Sequence, residues 1–206
     1  MAAASELGIT LPPAATEQLV AHLALVAKWT RVYNLTAVRD PAQMLTQHTV
    51  DSLAVVGPLR RQTGGRAVRV LDVGSGAGLP GVVLAVCCPE IQVDCVDTVA
   101  KKAAFIQQVA VELGLANLRA RHARVESLTG PYDVITSRAF ASLADFVRLS
   151  RQALAEGGVW MALKGTRPED EMANLPPDIE VFHVERLSVP NLAAERCLIW
   201  LRRRDS

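Results

Sequence analysis

"VLDVGSGAGLPGVVLA", residues 70–85, sets four glycines and a proline between two apolar runs. Residues 70–73 read as a buried strand, and residues 80–85 as the opening turns of a helix, where proline is readily accommodated. The glycines therefore fall on a strand-to-helix turn. There the free N–H groups and the positive end of the helix dipole favour a polar ligand, and residues without side chains let that ligand reach the main chain. The stretch marks a cofactor pocket and leaves its occupant open.

Beyond Gly64 and Gly65, β-branched runs at residues 68–73, 92–96, 133–136 and 159–163 alternate with amphipathic segments. That alternation predicts a parallel sheet with helices on both faces and ligands at the carboxyl ends of the strands. The helix after the second run presents Val99, Ala103, Ile106, Ala110 and Leu113 on one face and stops at Gly114. Residues 142–154 predict another, closed by Gly157 and Gly158. The runs "IEVFHVERL" and "RCLIWLRR" have no helical segment between them and should pair antiparallel at one edge. Before the sheet, Leu19, Leu23, Val26, Thr30 and Tyr33 recur at helical spacing, and "DPAQ" at residues 40–43 supplies an N-cap, a first-turn proline and a capping-box glutamine. The expectation is one domain, 1–206, made of a helical extension over 1–62 and a Rossmann-like α/β core over 66–206.

A chain of 206 residues that is 50% hydrophobic and 21% charged is long enough for one well-buried core. Its net charge of +1 announces neither nucleic acid nor an anionic membrane, so any such partner needs a local basic patch. Cys87, Cys88, Cys95 and Cys197 show no C-x-x-C spacing and lie in apolar runs, where cysteine packs as a small hydrophobe. The opening "MAAASELG" lacks the features of a signal peptide, and the apolar run at 82–88 is far short of a membrane span. A cytoplasmic protein without a membrane partner is expected. His22, His122 and His183 stand apart from acidic or cysteine partners at metal spacing, so no metal site is expected. His48, Asp51 and Ser52 read as a local hydrogen-bond cluster rather than a catalytic dyad.

Gly76, Gly78 and Gly81 alone fit the G-x-G-x-x-G of dinucleotide enzymes. The whole stretch instead runs Asp72-x-Gly74-x-Gly76-x-Gly78, with an acid at the strand's end. A carboxylate there suits a cationic ligand and repels a pyrophosphate, and S-adenosylmethionine carries an ammonium and a sulfonium with no phosphate. Asp97, closing the second strand, fits the ribose of either cofactor and doubles as an N-cap for the following helix.

"DVGSGAGLPG" at residues 72–81 resembles the cofactor loop of the GidB/RsmG family, bacterial methyltransferases that act on N7 of one guanine in 16S ribosomal RNA. "YNLTAVRDP" (33–41), "HTVDS" (48–52), "SRAFASL" (137–143) and "ALKG" (162–165) follow the same family in order. The resemblance runs from about Trp29 to Ile199. It implies that Gly74 and Leu79 line the cofactor loop, that Val125 and Glu126 lie against the adenosine, and that Arg138 faces the site. Gln47 stands where relatives often have Arg, Thr98 and Lys102 replace the commoner Ser and Arg, and Cys197 replaces a His; the first of these puts one phosphate contact in doubt.

The chemistry narrows by elimination. Adenine amino-methylases resemble one another in a "[DNS]PP[YFW]" motif, and here that position reads "TSRAF". C5 methylation of pyrimidines needs a cysteine nucleophile, and none lies in a loop at a strand's carboxyl end. Guanine N7 carries an in-plane lone pair and needs no general base. Arg138 is the candidate catalytic residue, placed to pair the cofactor carboxylate or donate to guanine O6. Phe140 is a candidate base-stacking residue. Lys28, Arg31, Arg39, Arg124, Lys164 and Arg167 are candidates for a phosphate patch. The rivals are a methyltransferase of small molecules, a nicotinamide-dependent oxidoreductase disfavoured by Asp72, and a non-catalytic RNA-binding protein. The favoured partner is 16S ribosomal RNA in the small ribosomal subunit.

Overall fold

The computed structural model describes residues 2–204; Met1, Asp205 and Ser206, which the expected domain includes, lie outside the described residues. Seven strands form one sheet: β1 (Arg69–Val73), β2 (Gln92–Asp97), β3 (Leu118–His122), β4 (Tyr132–Arg138), β5 (Leu154–Lys164), β6 (Ile179–Arg186) and β7 (Cys197–Arg203). Their order is β3-β2-β1-β4-β5-β7-β6. β1 to β5 pair parallel, and β7 pairs antiparallel with both β5 and β6. The expected terminal hairpin is present, and its second strand lies inside the sheet while its first forms the edge. β1 has β2 on one side and β4 on the other, so the strand order reverses there. The crevice outside the carboxyl ends of β1 and β4 is where a sheet of this kind takes its ligand.

β3 is the strand that the hydrophobic pattern does not reveal. It reads "LRARH" and buries only Leu118 fully. Charges along an open edge discourage pairing with another chain, and the same charges hide the strand from a search for apolar runs. The helix expected over 142–154 also needs correction. Ser142 caps α8 (Leu143–Ser150), accepting from the Asp145 amide at 3.1 Å. Gly157 and Gly158 do not close it; they lie within β5, where the register against β4 jumps from Tyr132–Leu154 to Val134–Val159.

The extension holds α1 (Ala2–Glu6), α2 (Pro13–Tyr33), α3 (Pro41–Met44), a π-helical stretch (Leu45–Val50), α4 (Asp51–Leu53) and α5 (Val56–Thr63). The start signal in "DPAQ" is realised: Asp40 Oδ1 accepts from the Gln43 amide at 2.8 Å, with Pro41 as the first helical residue. α2 buries Leu19, His22, Val26 and Thr30 and packs on α6 (Gly81–Cys87) and α7 (Ala100–Glu112). All seven residues of α6 are buried. A helix that is apolar all round belongs between layers, and here the layers are the sheet and the extension. α7 buries Ala103, Ile106 and Ala110 as expected, but Val99 is its exposed N-cap and not part of the core face. A short α9 (Glu169–Ala173) follows β5. The four cysteines are free and buried.

Candidate active site

The loop from Gly74 to Pro80 is anchored on three sides. The Gly74 amide donates to Val96 O at 2.9 Å, tying the loop to β2. The Gly76 amide donates to Asp97 Oδ2 at 3.1 Å, and Asp97 Oδ1 accepts from the Val99 amide at 2.9 Å. One carboxylate thus fixes both the loop and the start of α7, with Lys102 Nζ 3.8 Å away. From the extension, buried His22 sets Nε2 2.9 Å from Ala77 O. Burial lowers its pKa to about 4, so the ring is the neutral Nε2–H form and donates to that carbonyl.

The glycines answer to different neighbours. A Cβ on Gly74 would stand 2.7 Å from the Phe140 ring, one on Gly78 2.4 Å from Val82, and one on Gly81 2.3 Å from Cys95 Sγ. These three are forced by the protein itself. At Gly76, where φ is +56°, an added Cβ meets only Gly74 O at 3.9 Å. What such a side chain would enter is the cavity that Gly76 lines. Of the four, Gly76 is the one whose side-chain space the protein leaves open, its glycine being required by the positive φ alone.

Two cavities meet at Gly74 and Ala139, beyond the carboxyl ends of β1 and β4. The first, about 430 Å³, is lined by Asp97, Val99, Lys102, Val125 and Phe140, with Arg124 and Glu126 at its edge. The second, about 490 Å³, is lined by Gly76, Leu79, His48, Asp51, Arg138 and Arg196, with Lys164 beside them. Ala139 sits between the two with φ of +52°, a conformation that costs a non-glycine residue of order 1 kcal/mol or more. It places its neighbours Arg138 and Phe140 on different cavities.

Arg138 is not free. Its Nη1 donates to Gln47 O at 2.7 Å and to Asp51 Oδ2 at 3.1 Å. Asp51 Oδ1 accepts from Arg196 Nε at 2.8 Å. One carboxylate, 1% exposed, therefore clamps two guanidiniums that are each 23% exposed, joining the extension, β4 and the residue before β7. The expected hydrogen-bond cluster of His48, Asp51 and Ser52 is not formed: His48 Nε2 lies 3.0 Å from Thr36 Oγ1, Asp51 holds the two arginines, and Ser52 Oγ is enclosed without a hydrogen-bond partner among the described residues. Burial, with Arg138 nearby, lowers the His48 pKa. Arg196 and Thr36 are the cavity residues that sequence reasoning missed.

Other expected residues fall elsewhere. Asp72 is fully buried beneath the loop and lines neither cavity; its Oδ2 accepts from the Gly81 amide at 2.8 Å, at the start of α6. It does not face a cationic ligand, and its charge is no argument against a dinucleotide. Gly78 likewise makes room for Val82 rather than for a ligand. Phe140 is half-buried against Gly74 and edge-on to Phe146 at 6.4 Å, so its ring is committed to the protein. Lys164 is bound by Glu171 and Ala141 O, both at 2.8 Å, and Arg167 by Glu169 at 2.7 Å. Lys28, Arg31, Arg39 and Arg124 remain exposed, with Arg39 held to Asn34 Oδ1 at 2.6 Å.

Burial raises the Asp72 pKa to about 7, and its Oδ1 is enclosed with no partner among the described residues. A raised folded-state pKa contributes stability below the unfolded value near 4 that is lost as pH climbs toward 7. His22 has the opposite sign: its contribution is present above about 6.5 and lost as pH falls toward 4. In the wild type the two slopes oppose. Asp72→Asn keeps an acceptor for Gly81 and removes one slope, so the variant should gain on the wild type by up to about 4 kcal/mol between pH 4 and 7. Urea melts at half-unit pH steps check this; parallel curves would refute it.

A mostly parallel seven-stranded sheet with an antiparallel β7, a glycine loop after β1 and an acid closing β2 together define a class I S-adenosylmethionine-dependent methyltransferase fold. Solved structures agree: magnesium protoporphyrin IX methyltransferase from Synechocystis PCC 6803, with bound SAM, matches with a TM-score of 0.62 at 15% identity, covering 88% of this chain and 97% of that one. TrmN from Thermus thermophilus matches with a TM-score of 0.58 at 22% identity, covering 74% and 49%. The chain belongs to the GidB family, rRNA small subunit methyltransferase G, whose family model matches residues 15–199. The ribosomal RNA small subunit methyltransferase G of Methylibium petroleiphilum is 66% identical over 202 residues, covering 98% of this chain and 91% of that relative. That of Leptothrix cholodnii is 60% identical over 206 residues, covering 100% and 94%.

Proposed function

We propose that the protein transfers a methyl group from S-adenosylmethionine to N7 of a guanine in 16S ribosomal RNA, acting in the cytoplasm on the small ribosomal subunit or its RNA. The residues fit the cofactor. Asp97 stands at the first cavity with an oxygen for ribose hydroxyls, Val125 and Glu126 flank the place of the adenine, and Gly74, Gly76 and Leu79 open the way to the second cavity. The bound cofactor supplies an electrophilic methyl on a sulfonium.

The observation that carries the reading is what the second cavity offers: two fixed guanidiniums and no base with a free atom open to it. Asp51 is closed off by Arg138 and Arg196, His48 Nε2 is turned to Thr36, and His48 Nδ1, though without a partner among the described residues, is enclosed. Such a site suits a nucleophile that needs no deprotonation, and guanine N7 is one. Arg138 or Arg196 would donate to guanine O6 or to an anionic group beside it. Aligning the N7 lone pair with the methyl group would supply roughly 7–11 kcal/mol by proximity alone. Lys28, Arg31, Arg39 and Arg124 would take phosphates.

The test is chemical. An N7 methyl group places a positive charge on the imidazole ring, so borohydride followed by aniline should cleave methylated 16S ribosomal RNA at one guanine and leave unmethylated RNA intact. The single-turnover rate should show no ionisation step between about pH 6 and 8, where a histidine base would titrate. Label on an exocyclic amine or a pyrimidine carbon refutes the proposal.

A further inference from the structure

Phe140 is packed into the protein, yet an aromatic that is not stands at the end of α2. Tyr33 is 46% exposed. Its ring rests on Trp29, one turn earlier, with centroids 4.9 Å apart. Trp29 in turn meets fully buried Phe105 edge-on at 5.3 Å. An exposed ring therefore stands on a rigid base anchored in the core. Lys101 Nζ, from the first turn of α7, lies over this ring 5.0 Å from its centroid.

Neither Tyr33 nor Lys101 lines either cavity, but their chain neighbours do. Leu35 and Thr36, just after Tyr33, line the second, and Lys102, next to Lys101, lines the first. Asn34 closes α2 in the left-handed conformation and holds Arg39. Lys28, Arg31, Lys101 and Arg124 make no ion pair among the described residues. An exposed aromatic beside an ammonium without a carboxylate partner, with Lys28 and Arg31 on the same helix, is the composition of a surface for single-stranded nucleic acid, where bases stack on rings and ammonium groups follow the phosphates.

We infer that Tyr33 and Lys101 form a stacking platform for an unpaired nucleotide flanking the target guanine. The Lys101 side chain leaves the ring for a phosphate, and the base takes the ring face it vacates. This rests on the proposed RNA substrate and adds the residues that hold the strand outside the reaction cavity. An aromatic here serves RNA of varied sequence, since every base has a π-face.

Tyr33→Leu keeps an apolar contact with Trp29 and removes the π-face; Tyr33→Phe keeps both. With small ribosomal subunits carrying unmethylated 16S ribosomal RNA as substrate, Tyr33→Leu should raise KM by about 5- to 100-fold with kcat at saturation unchanged. Tyr33→Phe should restore KM, and S-adenosylhomocysteine affinity measured by calorimetry should equal that of the wild type in both variants. Lys101→Met should reduce the slope of log Kd against log salt by about 0.7, one single-strand phosphate contact. A Tyr33→Leu KM within twofold of wild type, a loss confined to kcat, a parallel loss of S-adenosylhomocysteine binding, or failure of Tyr33→Phe to rescue overturns the platform. A wild-type enzyme that does not methylate these subunits overturns the proposed function instead.

Discussion

Asp51→Ala is expected to lower methyl transfer by about 10²-fold and the melting temperature by about 6–12 °C. The carboxylate is the one acceptor that Arg138 and Arg196 share at the second cavity, beside the carbonyls of Gln47 and Glu195 that each takes separately. Removing one side of a buried ion pair costs about 3–5 kcal/mol because the remaining charge is left uncompensated. Both arginines retain some contact with solvent, which places the expectation at the lower end, about 3 kcal/mol. At roughly 2–4 °C per kcal/mol for a chain of this size, that gives the stated shift. The loss of rate follows from position: a displacement near 1 Å of a group that orients a substrate costs about 10²-fold. Asp51→Asn keeps the shape without the charge and should fall between the two. Calorimetric melts and tritium transfer to subunits measure both effects; wild-type turnover in Asp51→Ala would show that the clamp has no part in the reaction.

Gly81→Ala should be strongly destabilising, although Gly81 opens α6 and its φ needs no glycine. Its Cβ would stand 2.3 Å from Cys95 Sγ and 2.8 Å from Asp72 Oδ2, in a fully buried junction of β1, β2 and α6. Overpacking costs about 1–3 kcal/mol, and displacing the Gly81 amide from the Asp72 carboxyl adds about 1–3 more. The expected total is about 2–6 kcal/mol. Adding Cys95→Ala removes one of the two colliding atoms and should return part of the loss, since neighbours in contact are not additive. Gly76→Ala, with open space at its Cβ and only the strain of its positive φ, about 1–2 kcal/mol, should lose less stability and more S-adenosylhomocysteine affinity. Equal destabilisation by the two substitutions would contradict this assignment of the glycines.

What the sequence made legible was what short-range chemistry dictates. The loop and the helix start at Asp40 rest on residues a few positions apart, the antiparallel terminal pair on two neighbouring apolar runs, and the structure has all three. β3 escaped because an edge strand buries too little to write an apolar run. Gly157 and Gly158 misled because a pair of glycines punctuates an irregular strand as readily as a helix end. The clamp was invisible for another reason: Asp51 finds Arg138 87 positions away and Arg196 145 positions away. No spacing rule reaches that far. Asp72 was read as facing the ligand from its place at a strand's end, whereas alternation along the strand sends its side chain beneath the loop.

The strand order also sets a schedule for biosynthesis. Among the described residues β7 follows β6 in the chain, yet it lies between β5 and β6. Until it emerges from the ribosome, β5 and β6 cannot share a sheet, and the residue just before it, Arg196, cannot reach Asp51. A nascent chain therefore carries the glycine loop long before it carries a finished second cavity. The second cavity is complete only when the chain through β7 has been made.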